Sequence, residues 1–256
     1  LIVSNSFGCN PDTSEQLFYT IENPAPGFSL SSDSGCHPLT IQVTDTSSAG
    51  VTHSWYLDGQ LISTQQNPQF SLVNPSNTQD TNYVLKLVIT AGASGCKDST
   101  ERSIVVHPQP DASFLMIGAT CPGDTLDLIN QSLVKGVGSY RWQSSSAFVS
   151  FSDTTASSPQ LYIPDLQTGT DSVYTVNMRV TSTDGCVDDT ILNLIVYSRP
   201  IARFLLPADS CSPVILTPLD SSFSADGSAL SYSWNIDPTA NASGLSTANP
   251  QFELPL

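Results

Sequence analysis

The chain has few charged side chains and very few positive ones. Only 12% of its 256 residues are charged, and 8 Lys and Arg against 23 Asp and Glu give a net charge of −15. Nucleic-acid phosphates need a basic surface and anionic lipids attract basic segments, so this balance argues against both partners. No run of about 18 apolar residues occurs, so no membrane insertion is expected.

The chain also lacks the features of an export signal. It opens at Leu1 without a methionine, a basic segment or a cleavage site, so we expect an internal segment whose targeting signals lie outside it. Hydrophobic residues make up 39% of the sequence, which is enough to bury cores. The length fits one large domain or two to three ordinary ones.

Internal repeats decide between these options. Three segments can be laid on one another, each with a phenylalanine, a cysteine seven or eight residues later, and an apolar strand that ends in Asp or Asn and Ser. The phenylalanines recur after 86 and 90 residues, at Phe28, Phe114 and Phe204. A tryptophan follows each phenylalanine, at Trp55, Trp142 and Trp234. A nearly identical four-residue segment, which we call the tag, follows each tryptophan: "NPQF" at 67–70, "SPQL" at 158–161 and "NPQF" at 249–252.

The later part of the repeat recurs as well. "YVLKLVITAGASGCKD" from Tyr83 matches "YTVNMRVTSTDGCVDD" from Tyr174, and "LIVSNSFGCNPD" from Leu1 matches both. The predicted organisation is therefore the C-terminal part of one repeat at 1–26, complete repeats at 27–109 and 110–199, and the N-terminal part of a further repeat at 200–256.

Within each repeat the pattern predicts strands and turns. Apolar and polar residues alternate in "YVLKLVIT" and "LTIQVT", and Pro, Gly, Asn, Asp and Ser clusters separate such runs. This is typical of an all-β immunoglobulin-like sandwich of about seven short strands. The joints contain proline, at Asn23–Pro26, His107–Pro110 and Ser198–Pro200. Because proline fixes φ, we expect short, stiff joints and a rod of sandwiches placed end to end.

The order of these segments resembles the PKD (polycystic kidney disease) domain. The resemblance rests on "GCHPLTIQVTDTS", "HSWYLDGQ", "NPQF", "YVLKLVIT" and "GCKDS". The turn that the family writes as WDFGDG is Trp55–Gly59 here and degenerates after Trp142 and Trp234, which bears on the shape of one loop. The resemblance implies giant gliding and adhesion proteins of Bacteroidota, exported to the cell surface by type IX secretion.

No catalytic or cofactor-binding arrangement is predicted. His37, His53 and His107 do not recur between repeats, and a site would need them to converge with carboxylates or thiols, so we expect them to face solvent. Trp55, Trp142 and Trp234 could stack on sugar rings, but one tryptophan per sandwich is typical of the core. We therefore predict core tryptophans and no enzyme activity.

Acidic residues near turns make calcium binding an open alternative. Asp58, Asp98, Asp188 and Asp189 offer oxygen ligands, of which calcium needs six to eight around one point. The sequence has no EF-hand spacing and no Asp-rich repeat. No metal site is predicted from the motifs, and an inter-repeat joint is the remaining place for calcium.

The family resemblance also implies O-glycosylation at Asp-Ser or Asp-Thr followed by an aliphatic residue, Met or Thr. Five residues fit this pattern: Ser99, Thr125, Thr154, Ser172 and Thr190. A chain rich in Asp, Ser and Thr produces such triplets by chance, and they also form turns. Both interpretations stay open at this point.

Six cysteines without metal-ligand spacing favour an oxidising, extracellular compartment. Pairing within a repeat would join Cys36 to Cys96 and Cys121 to Cys186. In an immunoglobulin-like sandwich these positions lie at opposite ends, about 20 Å or more apart, whereas a disulfide requires Cα atoms within about 7 Å. When such sandwiches stack end to end, the turn between the first and second strands of one repeat meets the turn between the sixth and seventh strands of the next. The favoured pair is therefore Cys36 with Cys186, across a joint. Cys9, Cys96, Cys121 and Cys211 would then pair outside the segment. Intra-repeat pairing and free thiols remain the alternatives.

The sequence thus predicts a non-enzymatic stalk segment of a large extracellular, cell-surface adhesin, with a role in adhesion or gliding motility. Its partners would be neighbouring repeats of the same chain, and an extracellular surface or polysaccharide would bind outside this segment. The alternative is a spacer or carbohydrate-binding accessory module of a secreted hydrolase. Dozens of repeats in the full-length gene would indicate an adhesin, and one to three beside a catalytic domain an accessory module.

Overall fold

The computed structural model describes residues 1–92, 94–118, 120–165, 170–208, 214–236 and 241–254. Among these residues all regular structure is β, as the sequence pattern predicted, and the fold is a tandem array of immunoglobulin-like sandwiches. The chain divides into two compact units, Leu1–Ser76 with Asp80–His107, and Asn77–Gln79 with Pro108–Leu256. The repeat boundaries 27–109 and 110–199 stay a prediction.

The described residues of the first unit contain ten strands. They are β1 (Ile2–Val3), β2 (Asp12–Thr13), β3 (Phe28–Leu30), β4 (Ser34–Cys36), β5 (Leu39–Asp45), β6 (Val51–Leu57), β7 (Gln60–Ser63), β8 (Gln69–Leu72), β9 (Thr81–Ala91) and β10 (Lys97–His107). Strands β3 to β10 form the first repeat, as a three-stranded sheet in the order β3-β5-β8 and a five-stranded sheet in the order β4-β10-β9-β6-β7. All its pairs are antiparallel except β4 with β10.

Alternating side chains fill the core between these two sheets. In β9, Leu85, Leu87 and Ile89 are fully buried, while the residues between them face outward. Ile41 and Val43 of β5 face them from the opposite sheet, also fully buried. The period of two seen in the sequence therefore identifies the buried face of each strand.

In the second unit, the part of the second repeat that the structure describes has seven strands. They are β11 (Phe114–Ile117), β12 (Thr125–Asn130), β13 (Val137–Ser144), β14 (Ser150–Phe151), β15 (Gln160–Tyr162), β16 (Ser172–Ser182) and β17 (Val187–Val196). They form a four-stranded sheet in the order β11-β12-β15-β14 and a three-stranded sheet in the order β13-β16-β17. Leu126, Leu128, Leu161, Val176 and Met178 occupy the core between them.

The strand after the tryptophan strand belongs to different sheets in the two repeats. In the first, β7 pairs with β6 through the turn Asp58-Gly59, whose φ angles are 47° and 85°. Such positive φ values suit a tight two-residue hairpin, and glycine adopts them without strain. The second repeat has Ser145-Ser146 there, and its β14 pairs with β15 in the opposite sheet. The turn sequence therefore decides more than the shape of a loop.

Residues 201–254 contain one layer of a further sandwich. Their strands are β18 (Phe204–Leu205), β19 (Val214–Leu216), β20 (Leu219–Asp220), β21 (Asn241–Ser243) and β22 (Gln251–Leu254). They pair as β18-β20 and β19-β22-β21, which matches the four-stranded sheet of the second repeat. Within the described residues of this segment, Trp234 lies in no strand.

Residues 1–26 form a short hairpin outside the first repeat. Strand β1 pairs with β2 in antiparallel fashion. Its apolar residues stay in contact with solvent, and Leu17, Phe18 and Tyr19 are 78% to 88% exposed. This segment therefore contributes no core of its own.

Candidate functional site

A phenylalanine and a tryptophan meet edge to face in all three copies of the repeat. The ring centroids are 5.1 Å apart for Phe28 and Trp55, and 4.9 Å apart for Phe114 and Trp142. Phe204 and Trp234 meet at 5.0 Å. Edge-to-face contacts match the positive edge of one ring to the negative face of the other. The repeated Phe and Trp of the sequence thus form one contact.

Each indole nitrogen donates a hydrogen bond to the main chain just before the tag. Trp55 donates to Gln65 O at 2.8 Å, Trp142 to Ala156 O at 2.8 Å, and Trp234 to Thr247 O at 2.9 Å. Trp55 and Trp142 are 0% and 1% exposed, while Trp234 is half-buried. The indoles of Trp55 and Trp142, buried and bonded in this way, present no face to a sugar ring.

A second shared cluster lies where the strand after the cysteine ends. The side-chain oxygen of Asp45, Asn130 or Asp220 accepts the amide of the serine two residues later, at 3.0 Å each time. That serine hydroxyl in turn accepts an amide of the segment beside the phenylalanine, at 3.0 to 3.1 Å. We call this arrangement the strand-end clasp. It explains why Asp or Asn and Ser recur together.

The tag contributes to the same clasp. The Asn67 side chain accepts the amide of Asp45 at 2.8 Å, and the Ser158 hydroxyl accepts the amide of Asn130 at 3.2 Å. Asn249 accepts the amide of Asp220 at 3.4 Å. The first position of the tag therefore needs a short side chain with an acceptor oxygen, which Asn and Ser both supply.

In the first repeat the clasp includes a buried histidine. His53 Nε2 lies 2.8 Å from Asp45 Oδ2, and the two side chains are only 9% and 4% exposed. Gln66 Nε2 donates to the same oxygen at 3.0 Å. Burial alone would raise the pKa of Asp45, but hydrogen bonds from Ser47, Gln66 and His53 outweigh it and lower the pKa to about 2. Asp45 is therefore ionised at neutral pH.

The expectation that His53 faces solvent is wrong. It occupies the position two residues before the tryptophan, where the other copies have Tyr140 and Tyr232. Tyr232 donates a hydrogen bond to Asp220, which raises the pKa of the tyrosine. The pKa of Asp220 is lowered, mainly by hydrogen bonds from Ser222. An alignment of the three copies could have revealed this position, since the aromatic and imidazole side chains occupy it in turn.

The other two histidines also have protein partners. His37 Nδ1 accepts the amide of Asn74 at 2.9 Å, and His107 Nδ1 lies 3.0 Å from Asp80 Oδ1. Both rings are half-buried, so the solvent-facing expectation is wrong for them too.

The four carboxylates considered for calcium contact protein donors. Asp58 accepts the amide of Val84, Asp98 that of Ser99, and Asp188 that of Ala112, at 2.7 to 2.8 Å. Asp189 binds the Arg179 guanidinium through two hydrogen bonds, at 2.7 and 2.9 Å. The arginine lowers the pKa of Asp189 mainly through these bonds. Calcium binding stays a prediction.

The five candidate glycosylation residues differ in exposure. Ser99, Thr125 and Thr154 are exposed, whereas Ser172 and Thr190 are half-buried in β16 and β17. Modification at these positions stays a prediction. A natively produced protein without excess hexose in its intact mass would contradict it.

The cysteines of one repeat lie at opposite ends of its sandwich. Cys36 is opposite His107 at the end of β10, whereas Cys96 precedes the start of the same strand. The 11 residues of β10 separate these ends by roughly 30 Å, far beyond disulfide reach. Cys96 is a half-buried free thiol. Pairing within the first repeat is therefore excluded.

Cys36 and Cys186 are both disulfide-bonded, whereas Cys9 and Cys121 are exposed free thiols. Cys211 lies outside the described residues. The Cys36–Cys186 pairing stays a prediction, and a non-reducing peptide map tests it. Recovery of a linked Cys36–Cys96 peptide would refute both this pair and the strand order on which it rests.

Comparisons with known proteins concern the fold alone. No family model matches the chain, and no curated protein matches it. A titin I-band fragment is 12% identical with a TM-score of 0.44, covering 93% of this chain and 90% of that chain. The D00-D0 domain of intimin is 11% identical with a TM-score of 0.34, covering 68% and 98%. Fibronectin(III)-like modules of Clostridium thermocellum CbhA are 10% identical with a TM-score of 0.31, covering 68% and 94%. Among the described residues, no helix is long and apolar enough to span a membrane.

Proposed function

We propose that the chain is a non-enzymatic stalk segment of an extracellular adhesin. The observation that carries this proposal is the recurrence of one Phe–Trp contact and one strand-end clasp in all three copies. Each complete repeat also has its own core cluster. Repeats with separate cores unfold in separate steps, so an applied load meets several barriers in series.

Strand pairing in the first repeat suits it to tension along the chain. Strand β4, near the start of the repeat, runs parallel to β10 at its end, with Ser34 opposite Val105 and Cys36 opposite His107. Pulling the two ends apart would load these hydrogen bonds together in shear. In the second repeat, the matching contact among the described residues is the Tyr197 amide donating to Thr120 O at 3.0 Å. The first repeat should therefore resist the larger force.

Single-molecule force spectroscopy on the full chain tests this role under reducing conditions, because a Cys36–Cys186 disulfide would shield the residues between the two cysteines from the load. We expect two resolved unfolding events, with the higher force for the first repeat. Replacing Gly35 in β4 by proline should lower only the higher force, because proline fixes φ and its ring disrupts the β4 pairing. Extension without a resolved force peak would contradict a load-bearing function.

The finer assignment rests on the sequence resemblance to PKD domains. On this basis we propose that the chain belongs to a giant cell-surface protein of Bacteroidota that is exported by type IX secretion and used for adhesion or gliding. Its ligand would bind outside this segment. The number of repeats in the full-length gene tests it, since dozens of copies are expected. One to three copies beside a catalytic domain would favour the alternative, an accessory module of a secreted hydrolase.

A further inference from the structure

An open cavity lies beside the buried histidine of the first repeat. It has a volume of about 900 Å³ and is lined by the β5–β6 loop, the start of β6 and the segment after β7. This volume is within the range of small-molecule sites. The polar groups around it are mainly serine and threonine hydroxyls, with Gln66 and His53, and the apolar lining is limited to Ala49, Gly50 and Val51.

Asp45 fixes the orientation of the two groups that can recognise a ligand. An ionised carboxylate only accepts hydrogen bonds, so the proton shared with His53 sits on Nε2. In the neutral imidazole Nδ1 then carries the lone pair, and among the described residues it has no hydrogen-bond partner. Gln66 donates its Nε2 hydrogen to Asp45 in the same way, which leaves its carbonyl oxygen available. Both residues line the cavity, and their bonds to Asp45 hold both side chains in place.

The charged groups that line the cavity indicate which class of ligand it can bind. Asp45 is the sole ionic side chain among the lining residues apart from the imidazole, and its oxygens are already occupied by Ser47, His53 and Gln66. A cation would find no free carboxylate, and the net charge of −15 disfavours anions. Hydroxyl groups can both donate to the two acceptors and accept from the serine and threonine hydroxyls.

We propose that this cavity binds a neutral saccharide, with ligand hydroxyls donating to His53 Nδ1 and to the Gln66 carbonyl oxygen. The site belongs to the first repeat alone among the three copies. Tyr232 directs its hydroxyl to Asp220, and Tyr140 likewise replaces the imidazole, so neither offers a ring nitrogen. This binding goes beyond the stalk role, which would stand without it.

The sequence of the other copies supplies a matched variant. His53→Tyr introduces the residue found at the equivalent positions, where a tyrosine hydroxyl bonds the clasp carboxylate. It should keep the melting temperature and remove the ring-nitrogen acceptor, because the tyrosine oxygen lies at the clasp carboxylate. Gln66→Leu removes the second acceptor at an exposed position, so it tests the site even if His53→Tyr unfolds. His107→Gln, in another part of the first unit, is the control.

The experiment titrates 15N-labelled full chain with glucose, galactose, mannose, xylose and N-acetylglucosamine, each to about 100 mM, far above the millimolar dissociation constants that a few hydrogen bonds provide. We expect the backbone amide signals of residues 47–54, which every variant retains, to move with at least one sugar. Binding should weaken at least tenfold in His53→Tyr and several-fold in Gln66→Leu, and stay unchanged in His107→Gln. No movement with any sugar, or unchanged binding in a folded His53→Tyr, would overturn the proposal. Neither result would bear on the force measurement.

Discussion

The complete repeats and residues 201–254 contain the same sequence signals but differ in structure. In the complete repeats the tryptophan strand pairs with a long neighbour, β6 with β9 and β13 with β16. In the third copy, the described residues include no counterpart of β9 or β16, and Trp234 lies outside any strand. Phe204 is 51% exposed, whereas Phe28 and Phe114 are 4% and 3% exposed.

The difference separates local from long-range causes of structure. The Phe–Trp contact, the indole hydrogen bond and the strand-end clasp all form in the third copy. These contacts need only the segments from the phenylalanine to the tag. Burial of the aromatic pair and the strand around the tryptophan need the later hairpin as well. A sequence pattern therefore specifies a strand only when its neighbour is present.

Removing the tryptophan side chain should show the largest contrast between copies. Trp55→Ala and Trp142→Ala are each expected to destabilise their repeat by about 3–5 kcal/mol, because a large buried side chain leaves a cavity. Trp234→Ala should cost roughly half as much, about 2 kcal/mol, since its ring is already half in solvent. Hydrogen exchange of the amides in β9, β16 and β22 measures the three copies separately. Equal losses for all three tryptophans would contradict the comparison.

The acidic clasp of the first repeat predicts a pH dependence from a position where the second repeat has the neutral Asn130. The pKa of Asp45 is about 2 in the folded repeat, against 3.8 for an unperturbed group, so the unfolded chain binds more protons between these values. Its contribution of about 2 kcal/mol is present above the unfolded pKa and is lost as the pH falls from about 4 towards 2.

Asp45→Asn should remove this contribution and flatten the acid unfolding of the first repeat. The second repeat has Asn130 at this position and provides the internal control. Acid titrations followed by NMR of the two repeats make the measurement. An unchanged acid midpoint in Asp45→Asn would show that another carboxylate controls acid unfolding.

The smallest expected effect concerns the turn that assigns a strand to its sheet. Gly59→Ala should destabilise the first repeat by about 1 kcal/mol, because φ is 85° there, although no atom lies within 4 Å of the added Cβ. Gly92→Ala is the matched control, with its Cβ 3.6 Å from Gly50 O and no positive φ. Stability can be measured by urea unfolding. Equal effects of the two substitutions would indicate that backbone conformation is not the cause.

Sequence reasoning succeeded where the repeat and the period of two constrain a residue together. Trp55 and the alternating residues of β9 satisfy both conditions. It failed for β14, which could pair with the tryptophan strand β13 or with β15. Because no turn glycine follows Trp142, β14 pairs with β15 in the opposite sheet. It also failed for His53, whose burial depends on Asp45 and Gln66, contacts that no spacing rule connects.

The strand-end clasp also decides how the copies can differ in charge. Main-chain amides supply its donors, so the side chain at the strand end needs only an acceptor oxygen, and Asp45, Asn130 and Asp220 all accept the serine amide at 3.0 Å. A carboxylate can therefore be exchanged for an amide there without loss of the hydrogen bond. An array of such copies can vary its net charge from one copy to the next while keeping the same backbone turn.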